Sequence, residues 1–186
     1  MYQYKKERLK ELERLAVEEK IDLYYGDQTH VSSQGYVAYG WQFEGEEVCT
    51  YVEKGYKVNI FGLIDLKSNC HWTSSEQSIN SSFVVDYLEK FSMKIRKETV
   101  IVLDNASIHC SKFFQKARQD WEKRGLFIFF LPTYSPELNR AEILWRRLKA
   151  QWIDPMDYFT LENLRYAINQ AMNAIGTILN IKFNIK

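Results

Sequence analysis

Thr99-Val100-Ile101-Val102-Leu103-Asp104 decides how this chain is read. Five uncharged residues, four of them β-branched, run without interruption into a carboxylate. A short, continuous apolar run of this kind is what a strand buried on both faces of a parallel sheet looks like. Ser111 to Arg124 follows as a helical pattern closed by Gly125. Leu126 to Leu131 is a second apolar run, stopped by Pro132. Strand, helix and strand in this order predict a crossover connection, so the two strands should be parallel. Asp104 then stands at the carboxyl end of its strand, facing the crevice where open α/β sheets bind ligands.

Toward the N-terminus the texture differs. Ile21–Val31, Gly35–Phe43, Glu47–Val52 and Lys57–Leu66 read as strands rich in β-branched and aromatic residues. Ser32-Ser33-Gln34-Gly35, Glu44-Gly45-Glu46 and Glu53-Lys54-Gly55 are the turns between them, short enough to make the strands antiparallel neighbours. His71-Trp72-Thr73 adds an edge. From Ile79, the residues Phe83, Val84, Tyr87, Leu88 and Phe91 line one face of a helix. Residues 1–20 read as one very polar helix with a narrow stripe of Leu9, Leu12, Leu15 and Ala16.

Toward the C-terminus, Ser135-Pro136 opens a helical region that continues to about Trp152, and Asp154-Pro155 breaks it. Thr160–Ile178 is the last helix, with Leu161, Leu164, Ala167, Ile168, Ala171 and Ile175 inward. The expected fold is α/β: a mixed sheet with antiparallel first strands, parallel later strands and helices on both faces. This order resembles the ribonuclease H-like arrangement. The division expected is an N-terminal linker or docking helix (1–20), a core domain (21–155) and a helical extension packed on the same domain (156–186).

Of the 186 residues, 46% are hydrophobic and 26% charged, which excludes a disordered or collagen-like chain. No stretch approaches the ~20 apolar residues a membrane-spanning helix needs. The charge-rich first twenty residues lack the apolar core of a secretory signal. Three cysteines without metal-type spacing read as reduced thiols in a cytosolic protein. The net charge is only +1 but is unevenly spread. Residues 21–90 carry ten acidic and four basic residues, and 91–149 carry six acidic and twelve basic. Such asymmetry permits one basic face, as a polyanion binder needs, although solvated lysines on helices produce the same pattern.

Three acids fall where this sheet gathers groups together. Asp27 lies in the first strand, Asp104 ends the buried strand, and Glu142 opens the helix after the next strand. Each has an ordinary structural role open to it. Asp27 suits a strand edge, Asp104-Asn105 suits a turn, and Asn139-Arg140-Ala141-Glu142 has the form of a capping box. Together they suggest different chemistry. Three adjacent carboxylates cannot all stay ionised without cations. Mg²⁺ takes one or two protein carboxylates and fills its shell with water and phosphate oxygens. Two such ions roughly 3.5–4 Å apart clamp the attacking and leaving oxygens of a phosphodiester displacement. The expected cofactor is therefore Mg²⁺, two ions per site, with Mn²⁺ as a substitute.

Two strings carry a resemblance. Val100-Ile101-Val102-Leu103-Asp104-Asn105-Ala106-Ser107-Ile108-His109 resembles the second-aspartate motif of DDE transposases of the mariner superfamily, more closely its bacterial insertion-sequence branch. Phe129-Phe130-Leu131-Pro132-Thr133-Tyr134-Ser135-Pro136-Glu137-Leu138-Asn139-Arg140-Ala141-Glu142-Ile143-Leu144-Trp145 resembles the family's third-acid motif. Thirty-seven residues separate Asp104 from Glu142, close to the family's spacing. Asp27 matches the first aspartate. The resemblance spans about Asp22 to Trp152. Gln28 stands where the family often has Glu, and Arg140 where proline often follows Leu-Asn.

The resemblance implies the catalytic domain of a DNA transposase, with Asp27, Asp104 and Glu142 as catalytic carboxylates and metal ligands. Water nicks DNA at the element's end, and the freed 3′-hydroxyl attacks target DNA. It also implies double-stranded DNA as partner, a TA-type target and a homodimer. A helix-turn-helix DNA-binding domain, separate or missing, is implied as well, as is location in the bacterial cytoplasm, at the nucleoid when DNA-bound. No covalent protein–DNA intermediate is expected, because no Ser or Tyr stands beside an activating base. Asn105, His109, Tyr134, Asn139, Arg140, Arg147 and Lys149 are candidates for supporting the site or touching DNA. Arg146, four residues after Glu142, suits a pair with it. Trp145 and Trp152 read as core residues. The rival functions are a ribonuclease H-like nuclease without strand transfer, and an inactive DNA- or protein-binding remnant.

Overall fold

Alternation along the first strand assigns the two faces of the sheet. The computed structural model describes residues 2–33, 44–45, 55–109 and 111–183. In chain order its regular elements are α1 (Tyr2–Val17), β1 (Asp22–Ser32), β2 (Lys57–Asp65), β3 (Cys70–Ser75), α2 (Ser81–Ser92), β4 (Thr99–Leu103), α3 (Lys112–Lys123), β5 (Leu126–Phe130), α4 (Ala141–Arg147) and α5 (Leu161–Ala174). The strands lie in the order β3-β2-β1-β4-β5. β1–β2 and β2–β3 are antiparallel, whereas β1–β4 and β4–β5 are parallel. This is the expected mixed sheet, antiparallel among its first strands and parallel among its later ones. The strands expected over Gly35–Phe43 and Glu47–Val52 lie outside the described residues.

Odd-numbered β1 residues Leu23, Tyr25 and Val31 share one face with Val100 and Val102 of β4. That face packs against Leu9 of α1, Leu144 and Trp145 of α4, and Leu164 and Ile168 of α5. Ile101 and Leu103 of β4 and Leu126 and Ile128 of β5 form the opposite core with Val84 and Leu88 of α2 and Phe114 and Trp121 of α3. Each buried side chain of this size contributes about 1.5–3 kcal/mol. Gly26 is the narrow point of the second core: a Cβ there meets Leu103 Cδ2 at 2.6 Å and Leu63 Cδ2 at 2.9 Å.

Helix starts follow their caps. Asn80, Ser111 and Thr160 accept hydrogen bonds from the backbone N–H of Phe83, Phe114 and Asn163. Gly125, at φ 88°, turns the chain from α3 into β5.

Two helices differ from expectation. The region from Ser135 to Trp152 is not continuous. A 3₁₀ turn spans Pro136–Leu138, Asn139 is extended, α4 follows, and Leu148–Trp152 is a π turn. Asn139 causes the break, because its Oδ1 takes the Ala141 N–H at 3.1 Å and starts a new helix. α5 ends at Ala174 rather than Ile178. Gly176, at φ 81°, turns the chain so that the N–H groups of Thr177, Ile178 and Leu179 all return to Ala174 O. Among the described residues no helix is long and apolar enough to cross a membrane.

Candidate active site

The parallel pairing of β1 with β4 ends at Tyr25 and Val102. Two residues further along each strand stand Asp27 and Asp104, on the face that Tyr25 and Val102 occupy. The topology thus sets two carboxylates side by side just past the carboxyl end of β4, where its pairing with β1 stops and β1 runs on against β2. β5 then leaves the sheet at Leu131, whose N–H donates to Leu103 O at 2.8 Å. The loop it begins crosses over these carboxylates and delivers Glu142 in the first turn of α4.

Side-chain amides pin that loop at both ends. Asn105 Nδ2 donates to Leu131 O at 2.7 Å, and Asn139 Nδ2 donates to Gly26 O at 3.2 Å. Asn139 therefore binds the residue before Asp27 while its Oδ1 accepts from the Ala141 N–H at the start of α4. The reciprocal half of a capping box is absent, since the Asn139 N–H goes to Pro136 O. Glu142 is exposed, and neither Arg146 nor any other described residue pairs with its carboxylate.

Asp27, Asp104 and Glu142 line one cleft of about 310 Å³ with Asn105, Tyr134 and Asn139. The Asp27 carboxyl is pushed up to about 7, chiefly by burial and also by the charges of Glu142 and Asp104. Hydrogen bonds from Gln28 N at 2.7 Å and Trp145 Nε1 at 3.1 Å hold its oxygens and pull the other way. Asp104 is held below the usual carboxylate range, chiefly by its hydrogen bond with His109 Nδ1 at 3.0 Å. His109 is buried against Phe114, and its Nε2 has no hydrogen-bond partner among the described residues.

The basic candidates separate. Lys149 is half-buried in the π turn, and burial lowers its ammonium, although the charges of Glu142 and Asp27 partly restore it. Arg147 is half-buried with no ion pair to a described residue. Arg140 pairs with Glu13 of α1 at 3.0 Å and does not line the cleft. Tyr134 lies on the cleft rim, 97% exposed, at φ 56°. Sequence reasoning treated Trp145 as core only. Its ring is indeed buried, but its N–H reaches Asp27. The available signal was that a buried tryptophan N–H needs a partner.

The donor set suits a hard cation. All three acids offer oxygen, and burial with mutual repulsion brings the titration of Asp27 up to about 7. Among the described residues no three carboxylate, histidine or cysteine side chains crowd around one point. Asp27, Asp104 and Glu142 nevertheless all line the same cleft.

Comparison with known proteins agrees with this geometry. The sequence profile of the DDE superfamily endonucleases matches residues 22–165. No curated protein sequence matches. Among solved structures, the simian T-cell lymphotropic virus intasome in complex with PP2A regulatory subunit B56 gamma superposes with a TM-score of 0.58 at 17% identity, over 86% of this chain and 50% of that one. The Mos1 transposase paired-end complex with left transposon end gives 0.50 at 12%, over 94% and 61%. The HTLV-2 integrase catalytic core in complex with magnesium, in its dimeric form, gives 0.50 at 16%, over 88% and 91%. The chain thus spans about half the length of the first and 61% of the second. At these identities the likeness is one of fold. With a family profile over most of its length and a ribonuclease H-like sheet, the chain belongs to the DDE superfamily endonucleases.

Proposed function

We propose that the chain is the catalytic domain of a DNA transposase of the bacterial insertion-sequence branch of the mariner superfamily. Asp27, Asp104 and Glu142 would hold divalent metal, preferably Mg²⁺. The observation that carries this reading is the convergence of three carboxylates, from β1, the end of β4 and the start of α4, on one cleft. When bound, Mg²⁺ supplies charge stabilisation for phosphodiester displacement.

The chain's own groups have distinct parts in this scheme. Asp27 and Asp104 offer oxygens from the rigid sheet, and Glu142 completes the set from a loop fixed by Asn105 and Asn139. His109 orients the Asp104 carboxylate. Lys149 and Arg147, on the turns after Glu142, would meet DNA phosphates, and Tyr134, at the cleft, would lie against DNA. Arg140 is already engaged by Glu13. Double-stranded DNA is the substrate, at element ends and target, and a homodimer the working assembly. The Mos1 paired-end complex and the dimeric HTLV-2 integrase core support both by analogy.

The test is nicking of supercoiled plasmid with Mg²⁺ or Mn²⁺, beside Asp104→Ala and Glu142→Ala. Metal-dependent nicking should fall by roughly 10³-fold or more in each variant, as loss of several kcal/mol of charge stabilisation requires. Joining of an added 3′-hydroxyl oligonucleotide to the plasmid marks strand transfer, and nicking without joining marks a plain nuclease. Absence of Mn²⁺ binding by the wild-type chain would overturn the catalytic reading.

A further inference from the structure

The indole of Trp145 occupies a space that two other residues leave for it. In the β1–β2 ladder, Gly62 is the direct partner of Asp27. Cross-strand partners project to the same face of a sheet, so a side chain at 62 would stand beside the Asp27 carboxylate. The ring of Trp145 lies there instead. A Cβ built on Gly62 meets its Cη2 at 2.9 Å and its Cζ2 at 3.4 Å. From that seat Nε1 donates to Asp27 Oδ2 at 3.1 Å. Trp145 is 3% exposed and belongs to α4, three residues after Glu142. One rigid ring therefore spans from the strand bearing Asp27 to the helix bearing Glu142.

We infer that Trp145 is a positioning residue: its indole fixes the Asp27 carboxylate and locks it to the helix that carries Glu142, with Gly62 as the vacancy that admits the ring. The inference deepens the proposed metal-dependent function and, in its metal chemistry, rests on it. An aspartate side chain has several staggered χ1 settings and a broad, roughly two-fold carboxylate torsion open to it. Gln28 N–H holds Oδ1 at 2.7 Å and the indole holds Oδ2, so both oxygens are fixed before any ligand arrives. Outer hydrogen bonds of this kind typically set ligand affinity by 10- to 100-fold. A phenylalanine fills most of the same space but leaves Oδ2 without a donor. An alanine at 62 leaves the Asp27 side chain itself unchanged but displaces the ring that it meets first.

The test uses the full chain and two readouts. The Trp145 indole N–H resonance is assigned by its loss in Trp145→Phe, and its position is compared in wild type, Asp27→Asn and Gly62→Ala. Mn²⁺ binding is measured directly by electron paramagnetic resonance or calorimetry. The expected results are a shifted indole resonance in both Asp27→Asn and Gly62→Ala, and Mn²⁺ affinity about tenfold weaker in Trp145→Phe and Gly62→Ala. An indole resonance indifferent to Asp27→Asn, or wild-type Mn²⁺ affinity in a folded Trp145→Phe, would overturn the inference. If the wild type binds no Mn²⁺ while the indole resonance still follows Asp27→Asn, the metal reading fails and the coupling of Trp145 to Asp27 stands.

Discussion

Glu13 and Arg140 form an ion pair of 3.0 Å in which the glutamate side chain is only 6% exposed. The same Glu13 oxygen accepts a hydrogen bond from Tyr25 Oη at 2.6 Å and from Arg140 Nε at 3.2 Å. One buried carboxylate thus joins α1, the central strand β1 and the residue that leads into α4. Lys5 Nζ extends the contact along α1, donating to Phe130 O at 2.7 Å where the Glu142 loop leaves the sheet.

Removing one partner of a buried pair leaves the other charge uncompensated, at about 3–5 kcal/mol. Arg140 retains some access to water, so Glu13→Ala is expected to cost about 2–3 kcal/mol, read as a shift in the urea midpoint. Arg140→Met combined with Glu13→Ala should cost less than the sum of the two single changes. Because Arg140 is engaged by Glu13, Arg140→Met is also expected to leave the salt dependence of DNA binding unchanged, whereas Lys149→Met should flatten it.

Stability should depend on pH through Asp27. Its carboxyl titrates near 7 in the folded chain against an ordinary value of 3.8, so the folded state binds the proton more tightly than the unfolded one. Stability from this group is complete below pH 4 and is lost as pH rises through 7. The ceiling is about 4 kcal/mol at ~1.4 kcal/mol per pH unit, and the open cleft reduces it to about 2 kcal/mol. In EDTA, Asp27→Asn should therefore melt higher than wild type at pH 8 and equal to it at pH 4. Adding Mg²⁺ at pH 8 should raise the wild-type melting temperature more than that of the variant.

Tyr134 combines full exposure with a left-handed backbone at φ 56°, a conformation costing a non-glycine residue about 1–2 kcal/mol. Tyr134→Gly should relieve that strain and stabilise the fold by about 0.5–1 kcal/mol after the added freedom of the unfolded glycine. If the ring lies against DNA, the same change should weaken DNA binding about tenfold. Thermal melts and fluorescence anisotropy would show the two quantities moving in opposite directions.

The turn after α5 depends on Gly176. Its φ is 81°, and a Cβ there comes within 2.8 Å of Ser68 O, a backbone atom with little room to yield. Gly176→Ala should cost about 2–3 kcal/mol in chemical denaturation. Ser68 Oγ also exchanges hydrogen bonds with the N–H and carbonyl of Ile181. The same variant should therefore speed amide exchange at Ile181.

Much of the fold was legible because its signals are local. Thr99–Leu103 and Leu126–Phe130 are buried apolar runs, and Ser111 and Gly125 bracket the helix between them. Chain order and crossover geometry then dictate a mixed sheet. Local signals misled where a side chain competed with the backbone. The apolar spacing from Ser135 to Trp152 suits one helix, but Asn139 takes the Ala141 N–H and splits it. Glu142 fits the third position of a capping box, yet the Asn139 N–H bonds to Pro136 O and the carboxylate stays free in the cleft.

By itself, then, the sequence determined most of the segments that become strands and helices, and it put Asp27 within the first strand, Asp104 at the end of β4 and Glu142 at the start of α4. Periodicity, caps and turn residues act over a few positions and need no partner from far along the chain. Only the tertiary structure decided what those acids touch. Trp145 meets Asp27 across 118 positions of sequence, Asn139 meets Gly26 across 113, and Arg140 meets Glu13 across 127. Each contact is a hydrogen bond between groups that no local pattern pairs. Each exists because the sheet closes beneath α1 and α4 and leaves buried donors and acceptors that must be satisfied.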